Sequence, residues 1–477
     1  MDSTTLSQSD HPNGDSTQQP ILVVPEDPLT VTEKSTSTNE AALTSTPANT
    51  SVNQPNFRLH STLVLPSFSE SNNFFRNVQW CMDGSSLLGV TEHASLEVLN
   101  LTGEGNEVQL KHHLSLPQPA PILSTAWFPT ASASDPASYC FVKAIRDTPI
   151  KLIDASDGRV RASYKIVDHR ERFVAPHCMA FNMYMNRLYC GFEDAIEVFD
   201  VHYPGEGTRL HTVPTKKSRD GIRGIISSLA FAPDWSGTYA AGSFGGAIAI
   251  YTEDTGTQVQ NWLDGIEGGV TQIRFNPTQT HMVYAAFRRT PVIARWDLRN
   301  PSEPEFLYDR GMVSTNQRLS FDVSSDGRWV VGGDERGQIS FFDALGVEGR
   351  VGTMSAHRDS IGAVNFHPAK HFISTISGSR HFEDRGSTTS EDSEELEDVE
   401  TIVSGANEPG FPLGRGRIEP VVVDNSLKFE TQEISPECQT GVHHTFPARS
   451  NHHLRPYNHR LLTSKSATCF TITYKGR

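Results

Sequence analysis

Short apolar runs separated by turn residues dominate the middle of the chain, and residues 222–297 show the arrangement twice. In each copy a run ends in an aromatic residue, Phe231 or Phe275, and a turn carrying proline follows. A second run leads to a polar tip, and a third run ends in Ile-Ala-Ile-Tyr or Ala-Arg-Trp-Asp. Short runs bounded by turn residues predict a meander of antiparallel strands.

The same pattern recurs at intervals of about 44 to 54 residues. The predicted anchors of seven successive repeats are Trp80, Trp127, Phe181, Phe231, Phe275, Phe321 and Phe366. A repeat of this length, made of short strands, is typical of a propeller blade. The sequence therefore predicts an all-β protein, a seven-bladed WD40-type β-propeller. The apolar run that starts at Phe57 is expected to join the last blade and close the ring, which removes exposed sheet edges.

Three segments lack the blade pattern. Residues 1–56 are rich in Ser, Thr, Asn, Gln and Pro, and we predict a disordered tail because they offer few apolar anchors. The propeller is assigned to residues 57–430, with an acidic, disordered insertion in the last blade at about 380–415. Residues 431–477 are rich in histidine and are predicted to form an irregular C-terminal tail, because the apolar alternation stops there.

Charge is distributed unevenly along the chain, whose formal net charge is −15. Most of the excess acid lies in the N-terminal tail and around residues 380–400, so the predicted propeller is nearly neutral. Its basic clusters are therefore not cancelled by a generally acidic surface. The negative net charge of the whole chain thus does not argue against RNA binding by the propeller. We find no secretory signal and no apolar run long enough to span a bilayer, and we expect no membrane association.

Residue patterns for catalysis and metal binding are not found. The 6 cysteines form no C-x-x-C pair and are expected to be reduced, buried thiols of a cytosolic or nuclear protein. The chain has no nucleophile–base motif and no phosphate-binding glycine loop. The histidines after residue 440 match no zinc spacing. We therefore expect no enzymatic activity, no cofactor and no metal.

Between residues 120 and 375 the sequence resembles the telomerase Cajal-body WD-repeat protein family. The motifs that carry the resemblance lie at 146–164, 216–233, 268–277, 295–299 and 313–327. The last of them, V-S-T-N-Q-R-L-S-F-D-V-S-S-D-G, is the most specific, because an ordinary WD repeat has no reason to carry T-N-Q-R there. The resemblance covers a little over half of the chain and excludes the tails and the acidic insertion.

The resemblance implies a propeller that binds small non-coding RNAs of the box H/ACA class, including telomerase RNA, and carries their particles to Cajal bodies. It also implies contacts with ribonucleoprotein assembly proteins, namely coilin and the motor-neuron-survival machinery. More distant relatives are linked to spliceosomal particles, so a protein-interaction scaffold in small nuclear ribonucleoprotein assembly or pre-mRNA splicing is the alternative. We expect a monomer located in the nucleus, in Cajal bodies or the nucleoplasm, with the cytoplasm as a second location.

Basic residues in three loops are the first candidates for RNA contact. The connection from blade three to blade four carries four cations suited to phosphates, with an ordinary solvated loop as the alternative. These cations are Lys216, Lys217, Arg219 and Arg223. Arg288 and Arg289 are placed at a tip of blade five, where guanidinium groups are suited to bases and phosphates. Arg299 follows the Trp-Asp ending, and a structural bond to an aspartate is its alternative.

Two further candidate sites are polar or aromatic. The segment Thr315, Asn316, Gln317 and Arg318 precedes the inner strand of blade six, where amides suit base edges and Arg318 suits a phosphate. The alternative is a turn whose polar side chains bond to the backbone. Phe244 is predicted at a loop tip, where it would stack on a base, with a packed aromatic as the alternative.

Overall fold

Seven four-stranded antiparallel sheets arranged as blades make up the described part of the chain. The computed structural model describes residues 57–64, 73–103, 107–215, 218, 220–346, 349–380 and 426–432. In six sheets the strands follow chain order across the sheet. This confirms the all-β, seven-bladed propeller. No helix in these ranges is long and apolar enough to cross a membrane.

The strands of the first three blades follow a strand that belongs to the last blade. That strand is β1, Phe57–Leu63. Blade one contains β2 Phe75–Trp80, β3 Ser86–Thr91, β4 Ser95–Thr102 and β5 Gln109–Pro117. Blade two contains β6 Ile122–Trp127, β7 Cys140–Ile145, β8 Ile150–Asp154 and β9 Val160–Tyr164. Blade three contains β10 Cys178–Phe181, β11 Arg187–Phe192, β12 Ala195–Asp200 and β13 Thr208–His211.

The remaining four blades are equally regular. Blade four contains β14 Ile226–Phe231, β15 Thr238–Ser243, β16 Ile248–Thr252 and β17 Asn261–Trp262. Blade five contains β18 Val270–Phe275, β19 Met282–Phe287, β20 Val292–Asp297 and β21 Phe306–Asp309. Blade six contains β22 Phe321–Val323, β23 Trp329–Gly333, β24 Gln338–Asp343 and β25 Arg350–Ser355. Blade seven contains β26 Ile361–Phe366, β27 Phe372–Ser377 and β28 Leu427–Gln432, completed by β1.

Ring closure depends on strand pairing and on side chains that join blade seven to blade one. Strand β1 pairs antiparallel with β28, which confirms the predicted closure. The Asn365 side-chain amide donates to the carbonyl of Val78 at 3.0 Å, and His367 Nε2 lies 3.0 Å from the carbonyl of Gly84. Burial lowers the pKa of His367 to about 4, so this ring is neutral at neutral pH. Strand β28 runs to Gln432, slightly beyond the predicted end of the propeller.

The core is divided among the blade interfaces. Apolar side chains form seven buried clusters in the described residues, one between each pair of neighbouring blades. Strands β3, β7 and β19 are buried throughout, whereas the outer strand β5 is largely exposed, because blades cover both faces of the middle strands. Close packing requires small residues: a Cβ at Gly242 would lie 2.6 Å from Cγ1 of Val270 in the next blade.

The register of blade six differs from the prediction. The predicted anchor was Phe321, but Val323 holds the position that Phe231 holds in blade four, the last residue of its inner strand. After it, the backbone amide of Ser324 donates to the carbonyl of Trp329 at 2.9 Å, as in the other blades. The error has a physical cause: a shift of two residues leaves the same side chains on the same face of a strand, so the apolar alternation cannot detect it.

The ring has two rims with different loops. The entry rim carries the connections between blades and the loops from the second to the third strand of each blade. The opposite rim carries the loops from the first to the second and from the third to the fourth strand. Between the rims the inner strands line a channel of about 1340 Å³. The predicted tail at 1–56, the acidic insertion beyond Arg380 and the residues after Gln432 lie outside the described residues.

Candidate nucleic-acid interface

An aromatic ring and two arginines meet at the channel mouth on the entry rim. Phe244 lies in the loop between β15 and β16, Arg288 in the loop between β19 and β20, and Arg318 just before β22. The Cζ atom of Arg288 lies 4.5 Å from the centroid of the Phe244 ring, and that of Arg318 lies 4.9 Å from it. The face of an aromatic ring attracts a guanidinium electrostatically, so Phe244 holds both cations at the mouth.

Loop packing brings Phe244 into this position. A Cβ at Gly269 would lie 2.6 Å from the carbonyl oxygen of Phe244, so only glycine allows this approach. The backbone amide of Arg288 donates to the carbonyl of Gly269 at 2.8 Å. The loop that carries Arg288 is therefore held beside Phe244. The ring of His177 packs edge to face against Phe244 at 6.1 Å. Burial, and then the positive charge of Arg318, lower the pKa of His177.

No carboxylate of the described residues pairs with either guanidinium. In the described ranges neither Arg288 nor Arg318 makes a side-chain hydrogen bond or ion pair, and the buried Nε of Arg288 has no acceptor. Burial lowers the pKa of Arg318, and the nearby charges of Arg288 and Arg76 lower it further. Arginine nevertheless stays charged in proteins. Among the described residues the mouth therefore holds positive charge without a paired acid, which an anion with several acceptor oxygens would satisfy.

A second basic group lines the mouth beside the first. The Nε of Arg76, in β2, lies 3.3 Å from the Glu92 carboxylate, and the Nε of Arg380 donates to the same carboxylate at 2.6 Å. All three residues line the channel. Within the described residues two cations share one acid, so this group of three has a net positive charge. Sequence reasoning missed Arg76, Arg380 and His177. Aligning the seven repeats in the sequence would have shown that each of these residues lies near the entry rim, at the end of an inner strand or in a loop.

The predicted Thr-Asn-Gln-Arg segment has divided roles. The Gln317 side chain donates to the carbonyl of Gly378 at 2.9 Å, and the amide of Thr315 donates to the carboxylate of Glu335. These two residues fix the connection between blades five and six, as the turn alternative expected. Asn316 is exposed and lines the channel, next to Arg318 at the mouth. Asn316 and Arg318 are thus the members of the segment positioned to meet a ligand.

Curated relatives match the chain over much of the propeller, although no family model matches it. The chain is 30% identical to Telomerase Cajal body protein 1 of Mesocricetus auratus over 66% of its length and 60% of the relative's. It is 29% identical to that of Homo sapiens over 66% of its length and 58% of the relative's. These matches agree with the resemblance to the telomerase Cajal-body WD-repeat protein family. It is also 27% identical to Guanine nucleotide-binding protein negative regulator 1 of Schizosaccharomyces pombe, over 58% of the chain and 72% of that protein. The matched part spans about three fifths of the first relatives' length.

The cations predicted between blades three and four are largely outside the described residues. Lys216, Lys217 and Arg219 all lie outside them. Arg223 is described, and its guanidinium donates to the carbonyl of Ser218, which holds the loop against itself. The structure therefore adds one backbone contact for Arg223 and leaves the other three cations as predictions.

The remaining two arginines lie away from the channel mouth. Arg289 is exposed at the tip of its loop, in a left-handed conformation with φ of 58°, and does not line the channel. Arg299 lies on the opposite rim, where its Nε donates to the Asp297 carboxylate at 2.9 Å. This hydrogen bond is the main cause that lowers the pKa of Asp297. The structure thus gives Arg299 the ion pair that was its alternative.

The cysteines in the described part of the chain are buried thiols. Cys81, Cys140, Cys178 and Cys190 are buried and form no disulfide. Burial raises the pKa of Cys178 to about 12, which keeps it a thiol and a poor nucleophile. No group of three or more His, Cys, Asp or Glu side chains in the described ranges could hold a metal ion. The propeller fold and the names of the relatives point to a non-catalytic scaffold.

Proposed function

We propose that this protein is an RNA-binding adaptor of small nuclear ribonucleoproteins of the box H/ACA type, and that unpaired RNA docks at the channel mouth. The observation that carries the proposal is the pair of guanidiniums, Arg288 and Arg318, held over Phe244 with no carboxylate of the described residues bound to them. The name Telomerase Cajal body protein 1, borne by the relatives, supports telomerase RNA as one ligand and the nucleus as the location.

The chemistry of the mouth suits a single strand better than a duplex. Side chains cannot read bases in the deep, narrow major groove of A-form RNA, whereas unpaired loops expose both phosphates and base edges. The free donors of Arg288 and Arg318 would bind phosphate oxygens, and the exposed amide of Asn316 would bond a base edge. Phe244 is already in contact with the two guanidiniums, so its role is to position them.

The test is a charge reversal at the mouth with a matched reversal on the opposite rim. The double variant Arg288→Glu/Arg318→Glu is expected to weaken binding of a box H/ACA RNA by about 100-fold or more, because a phosphate that is no longer neutralised keeps its counterions. Filter binding over about 50 to 200 mM salt measures the affinity and its salt dependence. Arg299→Glu, which changes the same side chain away from the mouth, is expected to stay within about twofold of wild type.

Two results would count against the proposal. One is unchanged RNA binding by the double variant when its melting curve matches wild type, which removes the mouth from the site. The other is the absence of cross-linked small RNA when the protein is isolated from cells. That outcome would favour the alternative, a protein-interaction scaffold in spliceosomal particle assembly.

A further inference from the structure

The opposite rim holds a tryptophan in a strained backbone conformation. Trp235, in the turn between β14 and β15, has a φ of 62°. The same turn position, four residues after the inner strand, is glycine in blades one and six, where Gly84 and Gly327 both have φ of 71°. In blade three it is Met185, with φ of 60°. A bulky side chain is disfavoured in this conformation, so folding alone does not select tryptophan there.

The strained residue presents its ring to solvent as part of a platform. Trp235 is 52% exposed, and it is the one exposed tryptophan among all 6 in the chain, every one of which is described. The Tyr184 ring of blade three packs against it edge to face at 5.4 Å, and the Tyr184 hydroxyl donates to the carbonyl of Trp235. Tyr184 is itself 56% exposed. Backbone strain that serves to expose an aromatic pair points to a binding role.

The surroundings of the platform are acidic. Asp200 at the end of β12, Asp234 beside the tryptophan and Asp254 after β16 are exposed on the same rim of the same two blades. The nearby cation Arg187 lies 3.9 Å from the carboxylate of Glu253 and is partly offset by it. The platform therefore combines exposed aromatic faces with an excess of negative charge, the reverse of the channel mouth.

We propose that the Tyr184–Trp235 platform binds an extended segment of a partner protein that carries arginine or lysine side chains. A cation lying over the indole gains from the negative ring face, and the three aspartates supply the complementary charge. A proline-rich or aliphatic segment would use the rings but not the aspartates, and an RNA strand would be repelled. The proposal goes beyond RNA binding, because it gives the ring a second docking surface facing away from the first.

Fluorescence of Trp235 gives a direct measurement on the full chain. Because this is the exposed tryptophan, acrylamide should quench it more readily than the others. A synthetic peptide of alternating arginine and glycine is expected to protect it from acrylamide, and the protection should weaken as salt rises. A peptide with alanine in place of arginine, a proline–alanine peptide and a single-stranded oligouridylate are expected to give no protection.

Two variants separate binding from folding. Trp235→Gly installs the residue of blades one and six, so it should melt at or above the wild-type temperature and bind the labelled arginine–glycine peptide at least about fivefold more weakly. Asp234→Asn/Asp254→Asn keeps the rings and should weaken the peptide about threefold.

Several outcomes would overturn the proposal. These are equal protection by an uncharged peptide or by the oligouridylate, no protection by the arginine–glycine peptide, and unchanged peptide affinity in Trp235→Gly. If that variant melts lower than wild type and also loses binding, the double aspartate variant decides: unchanged affinity in it removes the charge complementarity on which the proposal depends.

Discussion

Two arginines at the channel mouth and two on the opposite rim differ in the partners that the fold gives them. On the entry rim, Arg288 and Arg318 meet an aromatic ring and no carboxylate in the described part of the chain. On the opposite rim, Arg299 binds Asp297, and Arg161 binds Asp154 at 2.8 Å. The number of basic residues in a loop therefore says little about its electrostatic potential. What decides is whether the fold also delivers an acid to each cation.

The aromatic residues follow the same division. Phe244 is half-buried beneath cations at the channel mouth, whereas Trp235 is exposed among aspartates on the other rim. Phe244 thus lies against positive charge, whereas Trp235 lies among acidic residues. An anionic ligand at the mouth and a cationic ligand on the opposite rim would be the natural consequence. Three predictions test whether changes at one rim affect the other.

The largest effect is expected in stability, at the ring closure near the opposite rim. Burial holds the pKa of His367 at about 4, below its ordinary 6.5, so the native state binds a proton less readily than the unfolded chain. The stability that depends on neutral His367 is present above pH 6.5 and is lost as the pH falls toward 4. We expect a loss of about 2 kcal/mol in the free energy of unfolding between about pH 7.5 and 5.

Urea unfolding at the two pH values measures this loss, and His367→Gln serves as the comparison. The variant should be less stable at neutral pH, because it lacks the imidazole that bonds to Gly84, but its stability should change less with pH. An equally steep pH dependence in the variant would mean that other groups cause the acid sensitivity.

An intermediate effect is expected from removing the ring that holds the two guanidiniums. Phe244→Leu keeps an apolar side chain but removes the aromatic face, so RNA affinity should fall about fivefold, with little change in melting temperature. The matched control is Trp329→Leu, which removes the ring under Arg328 near the opposite rim, where Cζ lies 5.2 Å from the centroid. Equal losses of RNA affinity in both variants would show that the effect is not specific to the mouth.

The smallest effect is expected from protonation at the mouth. Burial and neighbouring arginines lower the pKa of His177, so it is neutral at neutral pH and gains charge only under acidic conditions. A bound phosphate would favour the charged form, so RNA affinity should rise about twofold from about pH 7.5 to about pH 5.5. His177→Gln should abolish this increment in a binding titration. The same pH dependence in the variant would exclude the histidine as its source.

Much of the fold could be predicted because each blade repeats one local pattern. The turn residues and the apolar alternation predicted seven blades and the closing strand from Phe57. The anchor of blade six was wrong by two residues, because alternation specifies a face of the strand and not a position along it. The Asp326-Gly327 turn, aligned with the Asp83-Gly84 turn of blade one, would have given the register.

The candidate site was predicted only residue by residue. Residue type and loop position singled out Phe244, Arg288 and Arg318, but their contact joins loops of three different blades. For Phe244, the structure shows the packed ring that was the alternative to base stacking, and two cations lie over it. Trp235 was missed because its signal is comparative: tryptophan stands where other blades have glycine, and the local sequence looks ordinary.

The sequence by itself determined the all-β class, the number of blades and the closure of the ring, because strand period and turn chemistry act over a few residues. Only the tertiary structure decided which arginines keep their charge available and which are neutralised. That outcome depends on the curvature of the ring, which brings residues far apart in sequence to one mouth and sends similar residues to the other rim. Electrostatic potential depends on distances in space, and a linear pattern does not contain them.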